Sequence, residues 1–358
     1  MIKQLNDLKK ILKVFMLESY DFNIECNIND LYKLTSALNV STIVGYVLNK
    51  KSIKDDYFEK TLFKSINRYE RLLKTRKEID LLFNSKVNYL YVKGTSIAKY
   101  YPEPYLRYSR DIDIVVKENL DSACKLLEKS GYKCITKTPQ EYSYEKNDIV
   151  VDLHRTYMEE KDSLEEIFKD AKILNQELDI NYKYLYLLIH CMKHMIYGQL
   201  EYRFFVDLFY LRQLIDKNVV NDLLEKCNMT LFDSRVNHYL DYLLNDKNDD
   251  IVNDIDDFIL QYAFDYGNKN RVLINSQNKS GFKYIISRLF IPYDKMCYEY
   301  PILKKNKILL PIFYIVRLFK PLKKNRLKYT YKEINNTINK NPNDINKIQD
   351  FINKMGIY

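Results

Sequence analysis

At 358 residues, with hydrophobic side chains at 46% and aromatic ones at 14%, the chain is too long for one ordinary core and too apolar for extended disorder, so two or three packed units are expected. Six scattered cysteines without a C-x-x-C spacing fit buried thiols in a reducing cytoplasm better than a zinc site or a disulfide frame. A formal net charge of +9 points to phosphate-rich partners, and the longest apolar run, 308–316, falls well short of the roughly 20 residues of a membrane-spanning helix.

In chain order, apolar residues recur at helical spacing from Leu5 to about Asn84, which predicts an N-terminal helical region over 1–85. The period then shortens. A buried strand is expected over 87–92, broken at Gly94, with one or two helical turns over 95–101. A second strand covers 111–116, and a helix follows over 119–131 with Gly131 as its C-cap. Asn147 and Asp148 read as the turn of a hairpin whose second strand ends near Tyr157. Residues 86–157 therefore form an α+β core, one small mixed sheet with helices on one face. Helical periodicity returns over 158–358, with helices expected near 163–175, 182–197, 203–216, 219–246 and 253–264, breaks at Gly198 and Gly267, and a short terminal helix after a loop.

Chemistry enters at Asp111 and Asp113. In a strand, i and i+2 share a face, so both carboxylates stand on one side and Ile112 and Ile114 on the other. Two like charges this close drive one toward protonation unless a cation sits between them. Hard divalent ions prefer carboxylate oxygens, and Mg²⁺ commonly bridges them to substrate phosphates. Asp152 and His154 repeat the i, i+2 pattern on the later strand. A third carboxylate can thus join the first two, the arrangement that holds a two-ion site. Gly94, with the hydroxyls of Thr95 and Ser96 beside it, suits close approach of a phosphate. Taken singly, each feature also has a plain reading as a solvated strand face or an ordinary turn.

Their order carries a resemblance. Lys93-Gly94, Tyr101-Pro102-Glu103-Pro104, Arg107 and Asp111-Ile112-Asp113 together resemble the signature of the uncharacterised nucleotidyltransferase branch of the DNA polymerase beta superfamily. Residues 150–157, 187–213 and 311–324 are similar to later stretches of that branch, so the likeness spans roughly 60–325. It implies a polymerase-beta-like core with helical flanks. It further implies Mg²⁺ on Asp111, Asp113 and Asp152, triphosphate binding, ATP included, at Gly94 with Thr95 or Ser96, and phosphate contacts from Lys93 and Arg107. The reaction implied is transfer of a nucleoside monophosphate to an acceptor hydroxyl, with Asp152 also able to accept the proton.

Three histidines are further cleft candidates. His154 shares the face of Asp152 and is expected to orient it or touch substrate. His190 and His194 are i and i+4, the spacing of a zinc pair, but no Glu follows His190, so lining a cleft and plain packing are the stronger readings. Asp207 is expected either to pair locally with Arg203 or to edge the cleft. Residues 301–335 hold ten Lys/Arg against Glu333 alone, which suits an RNA acceptor, a nucleotide, an anionic membrane surface or merely a solvated face. The competing reading of the whole is an inactive nucleotide-binding or interaction protein that keeps the fold.

Overall fold

A computed structural model of the chain describes residues 1–18, 22–138, 141–158, 162–196, 200–245, 249–262, 290–293, 296–297, 300, 302–319 and 342–357. The expected breaks at Gly198 and Gly267 lie outside these residues, as do Lys320 to Lys332 of the basic segment. Two compact units make up the chain, one of residues 1–193, 200–264 and 355–357, the other of 194–199, 265–354 and 358.

The first unit begins with four helices, α1 (Ile2–Leu17), α2 (Ile28–Ala37), α3 (Ser41–Lys50) and α4 (Asp56–Phe83). Local chemistry sets two of the starts. The Asn27 side chain accepts from the amides of Asn29 and Asp30, and that of Asp55 from Tyr57 and Phe58, satisfying donors that the first helical turn cannot. Gly45 in α3 lets α4 approach closely, since a Cβ there would stand 3.2 Å from the Phe58 Cβ.

Seven strands follow as one mixed α+β sheet in the order β3-β4-β5-β2-β1-β7-β6. They are β1 (Asn88–Tyr91), β2 (Asp111–Glu118), β3 (Lys133–Lys137), β4 (Glu141–Lys146), β5 (Ile149–His154), β6 (Ile173–Leu174) and β7 (Glu177–Leu178). Between them lie α5 (Thr95–Ala98), α6 (Leu120–Lys129) and α7 (Asp162–Lys169). Antiparallel β1 and parallel β5 flank β2, so β2 is central. Leu72, Ile79 and Phe83 of α4 and Leu120, Ala123, Cys124 and Leu127 of α6 bury one face of the sheet against Ile112, Ile114, Val116, Val151 and Leu153. Alternation then forces Asp111, Asp113, Asp152 and His154 onto the other face.

Three elements differ from the sequence reading. The helix expected over 163–175 stops at Lys169, because Asn175 and Gln176 both take positive φ and close the β6–β7 hairpin, which β7 joins to β1. Strand β3 is an edge strand with every residue exposed, so it carries no apolar alternation to detect. The single helix expected over 219–246 is two, α10 (Lys217–Lys226) and α11 (Thr230–Asn245), separated where Asn228 turns left-handed. The remaining helices of this region are α8 (Ile180–Ile196), α9 (Tyr202–Arg212) and α12 (Asp250–Tyr262).

In the second unit, α13 (Ile302–Lys305), a 3-10 turn (Lys307–Leu309), α14 (Leu310–Phe319) and α15 (Pro342–Lys354) are described. Met296, Cys297 and Leu303 form a small core here, with Leu309, Leu310, Phe313 and Tyr314 packed against it.

Candidate active site

Strand register builds the site. In the parallel β2–β5 ladder Asp113 lies opposite Asp152, and Asp111 opposite Val150, so three carboxylates share one face within two rungs. The antiparallel β4 adds Ser143 opposite Asp152 and Glu141 opposite His154. Asp113 is only 6% exposed, and its Oδ1 takes the Lys93 ammonium at 2.9 Å and His154 Nε2 at 3.0 Å. His154 Nδ1 stands 3.7 Å from Glu141 Oε2.

These contacts separate the three acids. Burial pushes the Asp113 carboxyl up, but the Lys93 cation and His154 outweigh it and hold Asp113 well below the usual carboxylate range. Lys93 responds in kind, burial working against its charge and Asp113 raising it. Asp111, without such a partner, is raised by burial and by Asp113. Asp152 is pushed up to about 7, by burial first, then by Asp113, Glu141 and Asp111 against a lowering hydrogen bond from Ser143. One of its oxygens, Oδ1, is buried with no hydrogen-bond partner. Three carboxyls thus crowd one face, and the two beside Asp113 are pushed toward their protonated forms. Among the described residues, no three His, Cys, Asp or Glu side chains close into a ready-made metal cage.

Gly94 turns the chain from β1 toward α5 with φ 63° and ψ −119°, a conformation that a side chain disfavours, and it runs beside the Asp111 carbonyl, which a Cβ would approach to 3.4 Å. Arg107, 4% exposed, fastens this turn. Its Nε and Nη2 donate to Asp207 Oδ1 and Oδ2, both at 2.8 Å, and its Nη1 to the Gly94 carbonyl at 3.2 Å and to Ser109 Oγ at 2.8 Å. Tyr101 adds a 2.7 Å hydrogen bond to Asp207 Oδ1. Asp207 therefore pairs across the fold with Arg107 rather than locally with Arg203, which instead reaches Glu201 and the Tyr108 carbonyl. The physical reason is burial: a fully enclosed carboxylate is best served by a bidentate guanidinium already held in place.

Thr95 and Ser96 are buried. The Thr95 hydroxyl accepts from Arg76 Nη1 at 3.1 Å, and the Ser96 carbonyl from Lys183 Nζ at 3.2 Å. Behind them Glu177 receives Arg76 at 2.7 Å, Lys99 at 2.6 Å and Lys183 at 2.8 Å. Burial, then the neighbouring cations against Glu177, brings Lys183 down to about 8. This cluster escaped the sequence reading entirely, because its members come from α4, α5, β7 and α8 and none sits in a motif. His190 packs edge-on against Phe204 at 5.5 Å and is stacked with Tyr186 at 6.4 Å, and the Tyr186 phenol adds to the field at Lys93. His194, one turn further along α8, falls in the second unit.

Compared with known families, residues 25–245 match a family described as an uncharacterised nucleotidyltransferase. That stretch holds the whole sheet and every residue of the site described above. No curated protein and no solved structure gives a significant match.

Proposed function

This chain belongs to the family of uncharacterised nucleotidyltransferases, and on that premise we propose that it moves a nucleoside monophosphate from a nucleoside triphosphate onto a hydroxyl of a small molecule or an RNA, with Mg²⁺ and with pyrophosphate leaving. The observation that carries the reading is the register that sets Asp113 beside Asp152 with Asp111 on the same face. Crowded carboxyls that are pushed toward protonation, with an oxygen of Asp152 buried and unpartnered, are what a hard cation would relieve. Asp111, Asp113 and Asp152 would hold Mg²⁺, which when bound would neutralise charge on the triphosphate and the departing pyrophosphate.

The chain's own groups then divide the remaining work. Asp152 would take the proton of the acceptor hydroxyl. Lys93 and His154 keep Asp113 ionised and fixed in direction. Because the Thr95 and Ser96 side chains are buried, the Thr95 hydroxyl against Arg76 and the Ser96 hydroxyl without a partner, the triphosphate contact at this turn is assigned to the backbone at Gly94. Arg107 is assigned to positioning that turn, since Asp207, Gly94 and Ser109 already take its guanidinium. A second reading, a nucleotide-binding protein without turnover, is favoured by one fact: Lys93 and His154 already occupy the same Asp113 oxygen.

Incubation with each α-labelled nucleoside triphosphate, Mg²⁺ and either bulk tRNA or a small-molecule extract separates the two. Transferred label supports the transferase and identifies the acceptor class. Nucleotide-dependent thermal stabilisation without transfer supports the second reading.

Metal binding should also follow pH. Asp152 keeps its proton up to about pH 7 when folded but loses it near the usual carboxylate range when unfolded. Its contribution to stability without metal therefore falls as pH rises through that window. Mg²⁺ must displace the proton, so stabilisation of the melting temperature by Mg²⁺ alone is expected to grow from about pH 6 to about pH 8 and to level off above. The rise should flatten in Asp152→Asn. A wild-type profile already flat across the range would remove Asp152 from the metal site.

A further inference from the structure

Helix α14 in the second unit carries an apolar stripe that lies outside the small core formed by the described residues. Leu309, Leu310, Phe313 and Tyr314 pack against Met296, Cys297 and Leu303. On the far side Ile308, Ile312, Ile315 and Val316 are 85%, 55%, 55% and 45% exposed. Their spacing places them along one edge of the helix and the turn before it. Single exposed aliphatic residues are ordinary, but four in line mark a surface that meets something apolar.

The charge around the stripe says what that partner is. Lys304, Lys305 and Lys307, just ahead of α14, are exposed, and no Asp or Glu stands among residues 302–316 between them and the end of the stripe. Aliphatic side chains set in a field of one sign suit an anionic lipid surface, where acyl chains receive the isoleucines and headgroup phosphates take the lysines. RNA would satisfy the lysines alone, since isoleucine neither stacks well on a base nor hydrogen-bonds to one. Spanning is not in question. The helix has 10 residues, about 15 Å at the helical rise, and no helix among the described residues is long and apolar enough to cross a membrane.

We propose that the exposed isoleucine stripe of α14, with the lysines before it, seats the protein on an anionic lipid bilayer. The inference stands apart from the catalytic reading, because its residues belong to the other unit and its test needs no turnover.

Full-length protein is sedimented with phosphatidylcholine vesicles, with and without phosphatidylglycerol. Wild type is expected to pellet with the anionic vesicles and to stay in solution with the neutral ones. Each cation near such a surface raises partition about fivefold, so neutralising Lys304, Lys305 and Lys307 to Gln should lower it about a hundredfold. Ile312→Ser with Ile315→Ser changes no charge and should lower it about tenfold or more through lost apolar burial. All five substituted side chains are exposed, and Lys307 gives up only its place 4.9 Å over the Tyr293 ring, so closely similar melting curves are expected for both variants. Failure of wild type to pellet with anionic vesicles overturns the proposal. So does undiminished pelleting of the isoleucine variant, which would reduce the surface to simple charge attraction. Retention on immobilised bulk tRNA without vesicle binding would assign the segment to nucleic acid instead.

Discussion

Asp111→Asn and Asp113→Asn are expected to fall together in nucleotidyl transfer and to part in stability. Both should lose at least about a thousandfold in transferred label, since each removes a charge from the centre at which the triphosphate is neutralised. Without metal, however, the two carboxylates do opposite things. Asp113 is the counter-ion of a largely enclosed Lys93. Its loss strands that ammonium, and breaking a buried pair from one side costs about 3 kcal/mol or more. Asp111 faces its neighbour's charge and is raised by it. Neutralising it should therefore raise, not lower, the stability of the metal-free protein near pH 8. Urea melts in a chelator, read beside α-label transfer, test both halves. Equal destabilisation by the two substitutions would sink the proposed split between a neutralised Asp113 and a repelled Asp111.

The largest purely structural effect is expected at Asp207. It is fully buried and accepts two bonds from Arg107 and one from Tyr101. Asp207→Ala leaves the guanidinium enclosed with its main partner gone and should cost about 3–5 kcal/mol. Asp207→Asn keeps an acceptor and should cost less. Removing both charges, with Arg107→Met beside Asp207→Leu, should recover much of the stability, because no ion is then stranded. Label transfer should nevertheless stay low in the double variant, since nothing would hold the Gly94 carbonyl. A loss below about 1 kcal/mol in Asp207→Ala, measured by urea melting, would show that the pair is not the clasp described.

What could be read from the residues alone follows the range of the interactions. The hairpin turn at Asn147-Asp148 was legible, since both residues tolerate the positive φ observed and stand between alternating strands. So was the shared face of Asp111 and Asp113, a property of strand geometry. The facing of Asp113 and Asp152 was expected only as convergence, because register is set by pairing across a long crossover. Asp207 misled because helical spacing makes Arg203 the nearest cation in sequence, whereas Arg107 reaches it through the fold. The Glu177 cluster had no local signal. One acid holding three cations from separate elements is visible only once the sheet and helices are assembled.

The parallel rung that joins β2 to β5 also bears on how the protein comes into being. Asp111 and Asp113 leave the ribosome well before Asp152, with α6, β3 and β4 synthesised between them. Parallel pairing of this kind waits on closure of a long loop and belongs to the slow part of folding. Until that closure the early pair stands without its third member, and a nascent or half-folded chain offers no three-carboxylate centre for a nucleotide to meet.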